Sequence, residues 1–308
     1  MIIKARKESE SLKILRSLNY RMELTATQQK YYFNLEKGYE GEVQFDRSTE
    51  KIQTECLILN DLLLEVNNTK FQIDSLIIFK DTVYHFEVKN YEGDYYYEAD
   101  NLLTISKKEI KNPFDQLKRG QSLLRQLFQQ NSITFPIDSL VIFINPEFSL
   151  YQAPLNMPFI FQSQLTRFLK KLNNKPSVVN DRHKKLAEKL VSLHQPESLF
   201  PNIPAYNFGQ LKKGNLCAGC GSFSMIVRGK KLYCSNCGFG ESTDFAVMRT
   251  IDEYKILFPQ RTITTNDIYE WCGEIVPKRV ISRILGKNFE KSGVHQWSIY
   301  KYTSKKEN

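Results

Sequence analysis

No stretch of this sequence approaches the ~20 consecutive apolar residues that a membrane-spanning helix needs. The opening residues, MIIKARKESES, also lack the apolar run and small-residue cleavage site of a secretion signal. Together these absences predict a cytoplasmic protein with no membrane partner. No internal repeat is visible. Cysteine is sparse, with six in 308 residues, and four of the six fall into two CxxC pairs. That spacing in a reducing compartment reads as a metal site and not as a disulfide framework. Cys56 and Cys272 stand alone among apolar or aromatic neighbours and are expected to be buried hydrophobes.

The sequence is not short of apolar residues or of charge. A hydrophobic fraction of 41% is enough for real cores, and 308 residues allow one large domain or two to three smaller ones. The net charge of +9 is uneven. Residues 1–150 carry 19 basic against 22 acidic side chains, whereas residues 151–308 carry 24 against 12. A polyanion would therefore be gripped mainly by the back half. Ordinary solubilising lysine is the plainer alternative.

Periodicity divides the chain further. Residues 1–34 form an N-terminal helical segment, with Leu12, Leu15 and Leu18 at threefold spacing in a helix over 6–18. Residues 35–150 begin with a helix over 38–51, followed by a possible strand at 57–66 and stronger ones at 71–79 and 82–90. Two short strands, DYYYEA and LLTIS, come next. A helix at 112–130 is capped by Asn112 and opened by Pro113, and the buried strand SLVIFINP follows it. Residues 151–195 are a basic helical extension and 196–212 a proline-rich linker. Residues 213–242 hold the cysteines, and 243–308 form a small C-terminal module. The fold class is α/β, a mixed sheet flanked by helices with two small appendages.

The strands at 71–79 and 82–90 close naturally around Lys80-Asp81, which places Phe79 opposite Thr82 and Asp74 opposite Glu87. Gln72, Asp74, Glu87 and Lys89 then share one side of the sheet. The rest of both strands is apolar on both faces, as in sheets covered on both sides. Two facing carboxylates in such a setting repel each other and lose hydration, and a divalent cation between them removes both penalties. Oxygen ligands with open water positions suit Mg²⁺ or Mn²⁺. Lys89 is placed to orient water or to stabilise negative charge on a phosphoryl group. A plain salt bridge between Lys89 and either acid is the competing reading. His85, two residues before Glu87, reads more simply as a packed histidine than as a catalytic one.

The blocks GYEGE (38–42), FQIDSLII (71–78), HFEVKN (85–90) and NPFDQ (112–116) resemble those of the NERD family, the nuclease-related domain. That family is a branch of the PD-(D/E)xK restriction-endonuclease-like superfamily. The resemblance covers roughly residues 35–145, about a third of the chain. It implies an αβββαβ core, Asp74 and Glu87 as metal ligands and Lys89 as the catalytic lysine. It further implies Glu42 as an additional acidic ligand or water-holding residue, and Gln116 as a residue that positions metal water or phosphate. The proline that gives the superfamily its name is absent, since Ile73 precedes Asp74.

CAGCG (217–221) and CSNCG (234–238) are two knuckles separated by thirteen residues. Each pair of thiolates can bite one ion, and the following glycine permits the tight turn. This resembles a zinc ribbon in which Cys217, Cys220, Cys234 and Cys237 hold structural Zn²⁺. Arg228, Lys230 and Lys231 at its hairpin tip favour nucleic acid, and simple bracing of its neighbours is the alternative. Farther on, Thr265 can cap the short helix NDIYEWCG. A basic helix over 276–289 follows, with Val280, Ile281, Ile284 and Leu285 on one face, and then the strand HQWSIYKYT. The order resembles a winged helix-turn-helix. Lys278, Arg279 and Arg283 would then meet DNA from the helix and Lys301 from the strand.

These observations point to a metal-dependent deoxyribonuclease, with the ribbon and C-terminal module binding DNA and RNA left open as a substrate. Two other readings compete: an inactive DNA-binding protein on a nuclease scaffold, and a zinc-ribbon adaptor acting through protein partners. Nothing in the sequence indicates a homo-oligomer.

Overall fold

In chain order the first elements are β1 (Ile2–Lys4), α1 (Glu10–Arg21), α2 (Ala26–Thr49), β2 (Leu57–Val66), β3 (Thr69–Ile78) and β4 (Val83–Lys89). They are followed by β5 (Gly93–Glu98), β6 (Asn101–Thr104), β7 (Glu109–Ile110), α3 (Pro113–Gln130), β8 (Ile137–Phe143), β9 (Phe148–Tyr151), β10 (Phe159–Phe161), α4 (Gln162–Asn173) and α5 (Asp181–Ser192). The remainder is β11 (Met225–Arg228), β12 (Lys231–Cys234), β13 (Gly240–Ser242), α6 (Thr243–Leu257), α7 (Thr265–Trp271), α8 (Lys278–Asn288), β14 (Phe289–Ser292) and β15 (Ile299–Tyr302). The computed structural model describes residues 1–195, 203–293 and 298–302. Two units share the chain in alternation: Met1–Ser9 with Phe33–Ser198, and Glu10–Tyr32 with Leu199–Asn308.

The first unit is a six-stranded sheet in the order β1-β2-β3-β4-β8-β10. Strands β2, β3 and β4 run antiparallel, whereas β4, β8 and β10 are parallel, so the sheet is mixed as expected. Strand side chains alternate between two covered faces. Leu57, Leu59 and Leu76 pack with Leu124, Leu127 and Phe128 of α3 and Leu186 and Leu190 of α5. Ile58, Ile77 and Phe86 pack instead with Phe45 of α2 and Leu165 and Leu172 of α4. The 3–4 turn is the one anticipated: Ser75 pairs with Phe86, Leu76 with His85, Ile77 with Tyr84 and Ile78 with Val83. A second sheet, β7-β6-β5-β9, stands on an aromatic cluster that includes Tyr97, Phe143 and Phe159.

Several boundaries differ from the sequence reading. The helix expected at 38–51 starts earlier, at Ala26; the run Tyr31-Tyr32-Phe33 hid it because it marks no single apolar face. Residues 151–195 are not an appended extension. β10 hydrogen-bonds β8, and α4 and α5 supply core residues. The segment 1–34 is divided between the two units. Of the linker read at 196–212, residues 196–202 lie outside the described residues, and the rest is packed at its apolar side chains. Leu211 is buried, and Phe208 meets Tyr254 and Phe258 edge to face and Trp271 at a tilt.

The second unit has one core, where two small modules were expected. Cys217, Met225, Leu232 and Cys234 of the cysteine region join Ile14 and Leu18 of α1, Tyr254 and Leu257 of α6, Trp271 of α7 and Ile281, Ile284 and Leu285 of α8. A ribbon of this size has too little apolar surface to fold alone, so it borrows a core from its neighbours. Arg21, fully buried, ion-pairs with Glu253 at 2.5 Å and lies 3.9 Å from the centre of the Trp271 ring. Helix α7 is capped by Thr264, one residue before the position expected: its hydroxyl accepts from Asp267 N–H at 3.0 Å. β14 and β15 form an antiparallel hairpin, and Tyr300 bridges back to Ile263. Residues 295–297 and 303 of the expected last strand lie outside the described residues.

Candidate active site

The geometry begins with a break in the sheet. Asp74 takes no part in the pairing on either side of it. The β2 ladder pairs Asn60 with Ser75 and Leu62 with Ile73, and the β4 ladder ends at Ser75 and Phe86. Opposite the gap, Asp61 adopts a left-handed backbone with φ 56°. Regular strand alternation would put Ile73 on the side of Ile77, but it packs with Leu76 and Ile78. Beyond Phe86, β4 continues along β8, and Val88 N–H donates to the Asp74 carboxylate at 2.7 Å in place of a ladder bond. A buried N–H cannot go unpaired cheaply, so this bond fixes the Asp74 side chain.

Two close helix approaches complete the pocket. A Cβ built on Gly41 of α2 would lie 2.5 Å from Asn90 Cβ, so only glycine lets the helix pass the end of β4. The Asn90 amide in turn donates to the Lys37 carbonyl at 2.7 Å. On the other helix, a Cβ on Gly120 of α3 would meet His85 Cε1 at 2.9 Å. These contacts bring Glu42 from α2 and Gln116 from α3 to the carboxylates. Helix α3 starts where expected: Phe114 N–H donates to the Asn112 side chain at 3.0 Å.

The result is a cleft of about 780 Å³. Glu42, Asp74, Glu87, Lys89 and Gln116, the five residues anticipated from four separate elements, all line it. Gln72 lines it too, although it pairs with Leu63 and donates to Asp61 at 3.0 Å instead of facing Lys89. Lys89 Nζ lies 2.7 Å from Glu87 Oε1, so the competing salt bridge and the cleft coexist in one arrangement.

Charge is crowded here. Burial, then Glu87, then Glu42 push the Asp74 carboxyl well above the usual carboxylate range. Burial also lifts Glu42 to about 7, against the pull of Arg6. Burial works against the Lys89 ammonium, but Glu87 and Asp74 outweigh it, and its pKa rises. Hard carboxylate oxygens sharing a cleft suit a divalent cation such as Mg²⁺ or Mn²⁺, which needs only one or two carboxylates besides water. Around the acids, Lys37, Lys70, Lys111 and Arg119 contribute cationic side chains to the lining. Among the described residues only Lys37 of these four has an ion-pair partner, Glu92.

His85 is not part of the cleft. It is fully buried against Gly120, its Nδ1 lies 3.2 Å from Ser139 Oγ, and burial pushes its pKa down to about 4, so it is a neutral packing group. Sequence reasoning missed Arg6, whose side chain is 3% exposed and contacts both Glu42 and Asp46. Asp46, four residues after Glu42 on the same helix face, was the available signal. The basic lining residues Lys111 and Arg119 were legible as charges flanking NPFDQ, but nothing local aimed them at the acids.

The cysteine centre has its own geometry. The Sγ atoms of Cys217, Cys220, Cys234 and Cys237 all lie within 4.8 Å of one another. The two knuckles repeat each other. Gly221 N–H donates to the Cys217 carbonyl and Gly238 N–H to the Cys234 carbonyl, both at 2.9 Å. Both glycines hold the left-handed backbone anticipated for them, with φ 68° and 75°. Four close thiols on paired knuckles can hold one tetrahedral Zn²⁺, which leaves no open position. Cys56 and Cys272 are buried, as expected.

The predicted nucleic-acid contacts are all at the surface of the second unit. Arg228, Lys230 and Lys231 surround the β11–β12 turn, Lys278, Arg279 and Arg283 lie on α8, and Lys301 lies on β15. They are not equally free. Arg283 forks onto Asp244 at 2.6 and 3.1 Å, and Lys278 donates to Asn266 at 2.9 Å.

Residues 37–144 match the model of the NERD family, the nuclease-related domain. No curated protein matches the chain. The matched stretch runs from α2 to the end of β8 and contains all five anticipated cleft residues.

Proposed function

We propose, from the premise that residues 37–144 are a nuclease-related domain, that this protein is a divalent-metal-dependent nuclease hydrolysing DNA phosphodiester bonds. The observation that carries this reading is the cleft itself: acids, a lysine and an amide from four elements line it together, and Lys70, Lys111 and Arg119, without ion-pair partners among the described residues, flank them. A structural ion pair alone explains neither the shared cleft nor its basic lining.

Asp74 and Glu87 would hold Mg²⁺ or Mn²⁺, with Glu42 as a further oxygen ligand or a holder of water. When bound, the ion supplies Lewis acidity toward water and phosphate oxygens. Val88 N–H and the surrounding sheet keep Asp74 aimed into the cleft, so no reorganisation is needed when substrate arrives. Lys89, kept protonated by its acidic neighbours, donates hydrogen bonds to the attacked phosphate or to the attacking water. Gln116 offers an amide that orients either one. Lys70, Lys111 and Arg119 bind phosphates flanking the scissile one. The cysteine ribbon, with zinc bound, and the α6-α7-α8-β14-β15 module, which we read as a winged helix, would grip DNA through their exposed basic residues.

The test is plasmid cleavage with Mg²⁺ or Mn²⁺, comparing the wild type with Glu87→Ala and Lys89→Ala. Each variant is expected to lose on the order of 10²–10³-fold in rate. Equal cleavage by all three proteins removes the mechanism.

A further inference from the structure

We propose that Arg6, which lies outside the family-matched residues, is a positioning residue that sets the Glu42 carboxylate and the Asp74 backbone for cation binding in the cleft. This rests on the nuclease reading above. Arg6 follows β1, and its guanidinium is almost wholly buried. Nε and Nη2 fork onto the two Asp46 carboxylate oxygens at 2.9 and 3.2 Å, which fixes the guanidinium plane to α2. Nη1 donates to Glu42 Oε2 at 2.6 Å, one helical turn earlier. Nη2 also donates to the Asp74 carbonyl at 2.6 Å.

That last bond has a structural reason. Asp74 sits at the gap in both ladders, and its carbonyl would otherwise lack a fixed partner in a nearly buried place. Arg6 supplies the missing donor and so ties α2 to β3 at the residue whose side chain enters the cleft. A planar fork with five N–H groups can serve three acceptors in fixed directions, whereas an ammonium cannot.

Electrostatics alone gives the opposite expectation. A fixed positive charge beside a cation site weakens cation binding. If Arg6 acted only through its charge, its removal would tighten the site. If it acts by holding Glu42 and Asp74 in place, its removal loosens it. The sign of the change therefore separates the two roles.

The experiment is calorimetric titration of the full chain with Mn²⁺, with a melting temperature recorded for each variant. Arg6→Gln is expected to weaken Mn²⁺ binding by about 10-fold or more, in the range found when residues supporting metal ligands are lost. Arg6→Lys should recover little of it, because charge returns without the fork. Arg6→Gln combined with Glu42→Gln should lose scarcely more than the weaker single variant, as expected for groups acting as one unit. Unchanged or tighter binding by Arg6→Gln overturns the proposal, and so do losses that multiply in the double variant. If Arg6→Gln does not fold, Asp46→Asn decides the matter. Asp46 anchors the fork without lining the cleft, and about 10-fold weaker binding is expected, at the mild end of the same range; unchanged binding overturns the proposal. A wild type that binds no Mn²⁺ takes down the nuclease reading together with this one. A wild type that binds, beside an Arg6→Gln that binds equally well, takes down only the role of Arg6.

Discussion

The cleft of the first unit and the cysteine cluster of the second both gather candidate ligand residues, but they hold them in opposite ways. In the cleft, carboxylates are carried by two strands of a large sheet with a core on each face and by α2 packed on it, and Arg6, Lys89 and Val88 N–H partner them within the protein. In the cluster, four sulfur atoms within 4.8 Å have only weak neighbours, such as Gly219 N–H at 3.3 Å and the Asn236 amide at 3.5 Å. No cationic side chain touches them among the described residues. The sheet holds its acids through partners within the protein, whereas the ribbon, on the zinc reading, is expected to need an ion for its shape.

The largest expected effect tests that contrast directly. Removing zinc with a strong chelator, or changing Cys234 to Ser, should collapse hydrogen-exchange protection across β11–β13. Protection in β2–β4 should remain, because structural zinc contributes on the order of 10 kcal/mol to small zinc folds. Full protection of the ribbon in chelator would erase the difference between the two regions.

A smaller effect sharpens the other side. In the metal-free protein Glu42 sits at about 7 against an ordinary 4.5, so the folded state holds this proton more tightly than the unfolded chain. Its contribution to stability is therefore fully present below pH 4.5 and is lost as pH rises through about 7. The loss is on the order of 3 kcal/mol. His85, pushed down to about 4 from 6.5, has the opposite slope: its contribution is lost as pH falls below 6.5. The measurement is accordingly the difference in denaturant stability between the wild type and Glu42→Gln from pH 5 to 8, since both retain His85. A flat difference would mean that the acids are not strained by burial, and saturating Mn²⁺ should flatten it.

The smallest effect concerns partnered and unpartnered arginines on α8. Arg283 is already neutralised by Asp244, as Arg6 is by its acids, while Arg279 has no such partner among the described residues. Arg279→Ala should weaken DNA binding and lower the salt slope by about one, as for the loss of one phosphate contact. Arg283→Ala should change either much less. Equal losses from the two variants would show that the Asp244 pairing opens on DNA.

What was legible in the sequence was local. The β3–β4 register followed from two apolar runs and a two-residue turn, because a one-residue slip would turn every side chain to the wrong face. The Asn112 cap and the paired knuckles were equally visible, since each is decided within a few residues. What escaped the reading was decided at a distance. Arg6 meets its partners 36 to 68 positions away, and nothing in IIKARK marks that arginine from its basic neighbours. The apolar stripe Leu12, Leu15 and Leu18 announced a buried face but not the core that would cover it. The packing of Tyr206, Phe208 and Leu211 was hidden by prolines that locally signal a linker. The sheet β7-β6-β5-β9 was half seen, because β9 joins it from beyond α3 and β8.

The alternating assignment of the chain has a consequence for biosynthesis. Helix α1 is translated long before α6, α7 and α8, yet Ile14 and Leu18 share a core with Tyr254, Trp271 and Ile284 of those helices. At ordinary elongation speeds the helix waits on the order of ten seconds to a minute for its core. During that interval the intervening sheet can fold, while an apolar helix stays solvent-facing and open to chaperones or self-association. Nascent chains stalled before α6 should therefore be the aggregation-prone species, and the finished protein should not.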